Sequence, residues 1–138
     1  MSVAVSNQRV GIDVEALDRK IKYPEILAQN MLHEDNYAEY VSMQSLEDKA
    51  HFLLENWTAK EAYLKLLGTG LSHEVMAIHV DHSAKLAATL HQGQSVFTLW
   101  YMLYRAKYLV CMCFEFQDDH FVLDVLDEEQ LINLMDFS

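Results

Sequence analysis

The chain has 138 residues, 51% of them hydrophobic and 22% charged, with four glycines and one proline. A chain of this size forms one domain with a sizeable core, and this composition excludes disorder, collagen and low-complexity linker. The net charge of −11 is uneven: residues 108–138 hold eight acidic side chains and no Lys or Arg, while the first 107 hold ten basic and thirteen acidic ones. Nucleic-acid binding needs clustered Lys and Arg to neutralise phosphates, so it is disfavoured.

No apolar run reaches the roughly 18–20 residues that cross a bilayer. Met1–Arg9 lacks a basic segment followed by an apolar one, so no membrane span and a cytoplasmic setting are expected.

In chain order, Val3–Val5 and Arg9–Glu15 read as extended. Pro24 opens a short helix through Ile26, Leu27 and Met31, and a second helical piece follows around Tyr37–Val41. Leu46–Leu67 is one long helix without Gly or Pro, and Gly68 can take the left-handed position that ends it. Strand-type runs follow at Val75–Val80, Lys85–Leu90, Val96–Tyr101 and Lys107–Phe116, with Gln92-Gly93-Gln94 as a turn. Phe121–Leu126 reads as a last strand, and Asp127-Glu128-Glu129 as the acidic start of a last helix. An early strand, helices and then an antiparallel meander predict an α+β fold. Cys111 and Cys113 share a strand face in an apolar stretch and read as two small buried hydrophobes.

Three carboxylates break the burial pattern. Strand alternation puts Val10, Ile12 and Val14 on one face and Asp13 and Glu15 on the other. Two like charges there fit either a solvated surface strand or a divalent cation taking oxygen ligands. Glu61 is the third. With about 100° per residue, Ala50, Leu53, Leu54 and Leu64 fall within about 60° of Trp57, and Glu61 lies inside that apolar stripe. A carboxylate there needs a partner, either Lys65 one turn on or a metal ion. Gly68-Thr69-Gly70 reads as a helix stop with a flexible turn, or as backbone that can closely approach a phosphate.

Together these segments resemble the 4'-phosphopantetheinyl transferases. That family's signatures read roughly Gly-x-Asp-x-Glu and Trp-x-x-Lys-Glu-Ala-x-x-Lys-x-x-Gly-x-Gly-Leu. The chain has Gly11-Ile12-Asp13-Val14-Glu15 and the uninterrupted run Trp57-Thr58-Ala59-Lys60-Glu61-Ala62-Tyr63-Leu64-Lys65-Leu66-Leu67-Gly68-Thr69-Gly70-Leu71. The resemblance implies one transferase-like half-domain over residues 1–138, with an antiparallel sheet packed on the long helix. It implies transfer of phosphopantetheine from coenzyme A to a serine of an acyl- or peptidyl-carrier protein. Asp13, Glu15 and Glu61 would hold Mg²⁺. Glu61 and Lys65 would act in catalysis. Lys65 and Lys60 would contact the phosphates, and Gly68 and Gly70 would shape the pocket wall.

The large members of the family consist of two pseudo-repeated halves, and this chain resembles the second. The small holo-carrier-protein synthases are close to it in length and assemble as trimers with sites between subunits. A homo-oligomer that completes the site is therefore expected. The alternative is a non-catalytic or partner-dependent module that keeps the half-fold. Glu34 and Asp35 are the candidates for a general base.

Overall fold

The computed structural model describes residues 9–68, 74–83 and 88–115. Strand β1 is Val10–Ala16, followed by helices α1 (Pro24–Met31), α2 (Glu34–Ser42) and α3 (Leu46–Leu67), then strands β2 (His79–Asp81), β3 (Ala88–Gln92), β4 (Ser95–Tyr104) and β5 (Tyr108–Phe114). The strands form one antiparallel sheet in the order β1-β5-β4-β3-β2. This is the expected α+β architecture, with the sheet laid on the long helix. The extended Val3–Val5, the expected strand Phe121–Leu126 and the helix after Asp127 lie outside the described residues, as does Gly70.

Local chemistry accounts for the helix boundaries. Pro24 sits in the first turn of α1, where its missing N–H costs nothing. The His33 ring nitrogen Nδ1 caps α2 by accepting the Asp35 N–H at 3.2 Å. Ser45 caps α3 by accepting the Asp48 N–H at 3.2 Å, and Glu47 and Asp48 oppose the positive end of its dipole. Gly68 ends α3 in the left-handed region at φ 73°, its N–H returning to the Leu64 carbonyl. The run that begins at Val75 departs from expectation. Val75–Ala77 is a 3-10 turn, and only His79–Asp81 is strand.

Two cores flank α3. On one side Ala59, Ala62, Tyr63 and Leu66 pack against Val80, Leu90, Phe97, Leu99, Cys111 and Cys113 of the sheet. On the other, Phe52 and Leu53 meet Ala28, Met31, Leu32 and Tyr40 of α1 and α2. Leu53, Leu90 and Leu99 are fully buried, and each such side chain contributes about 1.5–3 kcal/mol. Both cysteines are buried and unpaired, as their apolar surroundings predict. Asn36 joins α2 to the sheet: its amide donates to the Val80 carbonyl at 2.8 Å and accepts the Val80 N–H at 3.1 Å.

The alternation of β1 holds, but the face carrying Asp13 and Glu15 turns inward. Gly11 and Asp13 are buried toward α3, while Val10, Ile12 and Val14 are half-buried on the other face. The solvated-strand reading of the two carboxylates is therefore overturned. Gly11 makes this possible. A Cβ there would lie 1.8 Å from the Ala62 carbonyl oxygen and 2.6 Å from the Leu66 nitrogen, so only a bare backbone can lie against the helix.

Candidate active site

The close approach of β1 to α3 sets Asp13 and Glu15 against Trp57, Glu61 and Lys65. Asp13 is 5% exposed and faces Cys111 across the β1–β5 ladder. Its Oδ1 accepts from the Lys65 ammonium at 2.7 Å, while its Oδ2 is buried and has no hydrogen-bond partner. Burial pushes the Asp13 carboxyl above its ordinary range; the bond to Lys65 opposes this and only partly offsets it. Glu61 is half-buried on the adjoining helix face. Its carboxyl is raised as well, first by burial and then by the neighbouring charge of Asp13.

Glu15 is held differently. Its Oε1 accepts the Trp57 indole N–H at 3.1 Å, and its Oε2 pairs with the Arg19 guanidinium at 2.7 Å. The Arg19 guanidinium also lies 5.8 Å from the centre of the Trp57 ring. Beside them a cleft of about 180 Å³ is lined by Arg19, Lys20, Ile21, Lys22, Leu27, Leu54 and Trp57. Three of its seven wall residues are cationic, so it offers an anion a positive surface next to an acidic one.

The structure thus gathers Asp13, Glu15, Glu61 and Lys65 in one neighbourhood. Lys60 lies elsewhere. It is 1% exposed, and its ammonium donates to the carbonyls of Met31 and Val75. Burial lowers it to about 7. The expected phosphate contact from Lys60 does not fit this placement, because the side chain ties the end of α1 to the 3-10 turn. Gly68 serves as the helix stop and has nothing within 4 Å of the Cβ position. Glu34 and Asp35 are exposed in the first turn of α2. Glu34 borders a second cavity of about 560 Å³ between α1, α2 and the 3-10 turn.

Sequence reasoning missed Arg19. The only signal was its spacing of four residues from Glu15, and that carries little meaning in the turn after a strand.

A divalent cation suits the donors present. Buried carboxylate oxygen is a hard ligand, and Asp13 Oδ2 is a buried acceptor without a donor. Among the described residues, however, no three His, Cys, Asp or Glu side chains stand at coordination distances from one common point. The donor set is present, while Lys65 and Arg19 hold two of its members.

An antiparallel α+β layer that brings carboxylates from an edge strand onto a long helix, beside a cationic cleft, has the makings of a phosphate-ester site. The chain belongs to the 4'-phosphopantetheinyl transferase superfamily, whose family model matches residues 9–120. It is 30% identical over 79 residues to the 4'-phosphopantetheinyl transferase gsp of Aneurinibacillus migulanus, covering 56% of this chain and 31% of that one. It is 36% identical over 70 residues to the holo-[acyl-carrier-protein] synthase of Buchnera aphidicola subsp. Acyrthosiphon pisum (strain Tuc7), covering 48% and 53%. The match thus spans about half of one curated relative and under a third of the other.

Among solved structures, it resembles the holo-(acyl-carrier-protein) synthase of Bacillus anthracis in complex with CoA (3',5'-ADP). The TM-score is 0.61 at 24% identity, over 75% of this chain and 91% of that one. The Thermotoga maritima holo-[acyl-carrier-protein] synthase gives a TM-score of 0.58 at 22% identity, over 75% and 60%. These two likenesses establish the fold. Among the described residues, no helix is long and apolar enough to cross a membrane.

Proposed function

We propose that this chain transfers 4'-phosphopantetheine from coenzyme A to a serine hydroxyl of an acyl- or peptidyl-carrier protein. The observation that carries this reading is the buried, partnerless Oδ2 of Asp13 beside Glu61, in a chain with both family signatures intact. Asp13, Glu15 and Glu61 are the residues that would hold Mg²⁺. When bound, the ion supplies positive charge to the pyrophosphate as negative charge grows on the departing 3',5'-ADP.

The chain's own residues bind and orient the donor. The Lys65 side chain is half-exposed and spans from α3 to β1. Its ammonium, held on Asp13 in the metal-free chain, is the group that would meet a phosphate oxygen of the donor. Arg19, Lys20 and Lys22 line the adjoining cleft and draw in the anionic coenzyme. Trp57 gives this cleft an apolar wall and donates its indole N–H to Glu15.

We further propose that a second copy of the chain completes the site. Lys65 and Arg19 lie with about half of each side chain exposed at its open rim, where another surface can close over them. A cytoplasmic setting accords with the free thiols of Cys111 and Cys113.

The test is to incubate the purified chain with coenzyme A, Mg²⁺ and a panel of apo-carriers and then weigh the carriers. A gain equal to one phosphopantetheine arm is expected on at least one. No gain with folded protein, together with metal-independent coenzyme A binding by calorimetry, would favour a non-catalytic module. Light scattering reads the oligomeric state, and a strict monomer would remove the shared-site proposal.

A further inference from the structure

The hairpin between β4 and β5 carries side chains that the site does not use. Its turn, Tyr104-Arg105-Ala106-Lys107, is closed by the Lys107 N–H on the Tyr104 carbonyl at 3.1 Å. Arg105 and Ala106 hold φ at 52° and 53°, where glycine or asparagine would rest with less strain. The Arg105 guanidinium stands 5.0 Å from the centre of the Tyr104 ring. Arg105 and Lys107 are exposed, and neither pairs with a carboxylate among the described residues. Leu103, at the start of the hairpin, is 57% exposed.

The sheet register sets this hairpin beside the site. Glu15 faces Leu109 of β5, and Leu109 faces Leu103 of β4, so Glu15 and Leu103 share one cross-strand row on the face that packs against α3. The turn after β1 is tied to the hairpin by the Leu17 N–H, which donates to the Lys107 carbonyl at 2.8 Å. Residues 17–22 and 105–107 thus meet at one end of the sheet, with the cations Arg19, Lys20, Lys22, Arg105 and Lys107 against one acid, Asp18. The chain as a whole carries −11. An acidic partner is repelled by that net charge and drawn to this one end, which orients its approach. Arg19, Lys20 and Lys22 line the cleft, whereas Arg105 and Lys107 stand outside it. Cations grouped around an exposed leucine suit a protein surface better than a small anion.

We propose that the β4–β5 hairpin is the docking element for the carrier protein: Leu103 makes the apolar contact, and Arg105 and Lys107 meet an acidic patch near the carrier's serine. The assignment rests on the transferase reading for the identity of the partner. It divides the cations by role. Those of the cleft receive the coenzyme, and those of the hairpin receive the protein. An arginine kept in a left-handed turn, at a cost in stability, fits a side chain retained for contact.

The experiment follows transfer by the full chain to an apo-carrier, with coenzyme A and Mg²⁺, by the mass of the carrier. Arg105→Glu combined with Lys107→Glu is expected to raise the carrier KM about tenfold, with kcat and coenzyme A affinity held within about twofold. Leu103→Ser raises the carrier KM as well. Added NaCl shrinks the difference between the unsubstituted and charge-reversed chains. Arg105→Asn gives a second reading that needs no reversed charge. Asparagine accepts the left-handed backbone, so this variant should melt higher than the unsubstituted chain and still show a raised carrier KM. An arginine with a merely structural role would leave that KM where it was.

An unchanged carrier KM in the charge-reversed chain and in Arg105→Asn overturns the docking assignment and leaves the transferase reading standing. An equal loss of coenzyme A affinity would give the hairpin to the coenzyme, and a changed oligomeric state by light scattering would give it to a contact between copies; either result overturns the assignment. Transfer to no carrier by the folded, unsubstituted chain overturns the transferase reading and this assignment with it.

Discussion

Gly11 of β1 and Ala62 of α3 meet backbone to backbone, with room for a hydrogen atom and not for a methyl group. The contact places Asp13, two residues along the same face, over the helix turn that carries Glu61 and Lys65. A residue with no side chain thus determines where the acids sit. Gly11→Ala must push the strand off the helix. We expect a loss of about 3 kcal/mol, seen as a lower melting temperature by circular dichroism. Divalent-cation binding falls with it, because Asp13 moves away from Glu61. An unchanged melting curve would show that the strand can shift freely.

Glu61→Gln separates stability from function. In the metal-free chain Glu61 is a partly buried charge beside Asp13, and both burial and repulsion oppose its ionised form. At neutral pH the amide removes that cost, so the metal-free variant should melt a few degrees higher. Added Mg²⁺ should raise the melting temperature of the unsubstituted chain and leave the variant unmoved. Scanning calorimetry with and without the ion checks both arms, and equal Mg²⁺ shifts in the two proteins would count against Glu61 as a ligand.

Much of this arrangement was legible in advance. Alternation put Asp13 and Glu15 on one face of a strand, and helical spacing placed Glu61 in an apolar stripe. What alternation alone left open was which face pointed inward, because Val10, Ile12 and Val14 look like the buried set. The decision belongs to Gly11, whose missing side chain permits a contact that no local pattern encodes. The Glu15–Trp57 bond and the Asn36–Val80 bridge span 42 and 44 residues of sequence, beyond the reach of periodicity. Val75–Ala77 carries strand-type residues yet forms a 3-10 turn, a case of tertiary packing overriding propensity.

The β4–β5 turn was also hard to read, because Arg105 and Ala106 both hold positive φ (52° and 53°) with neither Gly nor Asn present. A left-handed backbone costs a residue with a side chain about 1 kcal/mol. Ala106→Gly should therefore stabilise the chain by roughly 0.5–1 kcal/mol, measured as a higher urea midpoint at unchanged slope. A lower midpoint would mean that the greater freedom of glycine in the unfolded chain outweighs the relieved strain.

Tyr40 gives a pH signature away from the site. Its hydroxyl donates to Glu25 at 3.1 Å, and burial, then that bond, pushes the phenol up to about 12 from an ordinary 10.0. The folded chain therefore keeps this proton longer than the unfolded one. The stability it contributes is fully present below pH 10 and is lost between pH 10 and about 12. Melting temperatures across that window should fall less steeply for Tyr40→Phe than for the unsubstituted chain. Parallel slopes would remove Tyr40 from the alkaline transition.

The amide of Asn36 has a consequence for how copies of the chain can meet. Among the described residues β2 is the last strand of the sheet, and a terminal strand normally leaves its main-chain donors and acceptors open to a newcomer. At Val80 both groups are already taken by one side chain that stands in for a neighbouring strand. Among the described residues that rim of the sheet is plugged at its midpoint, and the Asp81 carboxylate beside it adds a charge, so ribbon-like growth from one molecule into the next is opposed there.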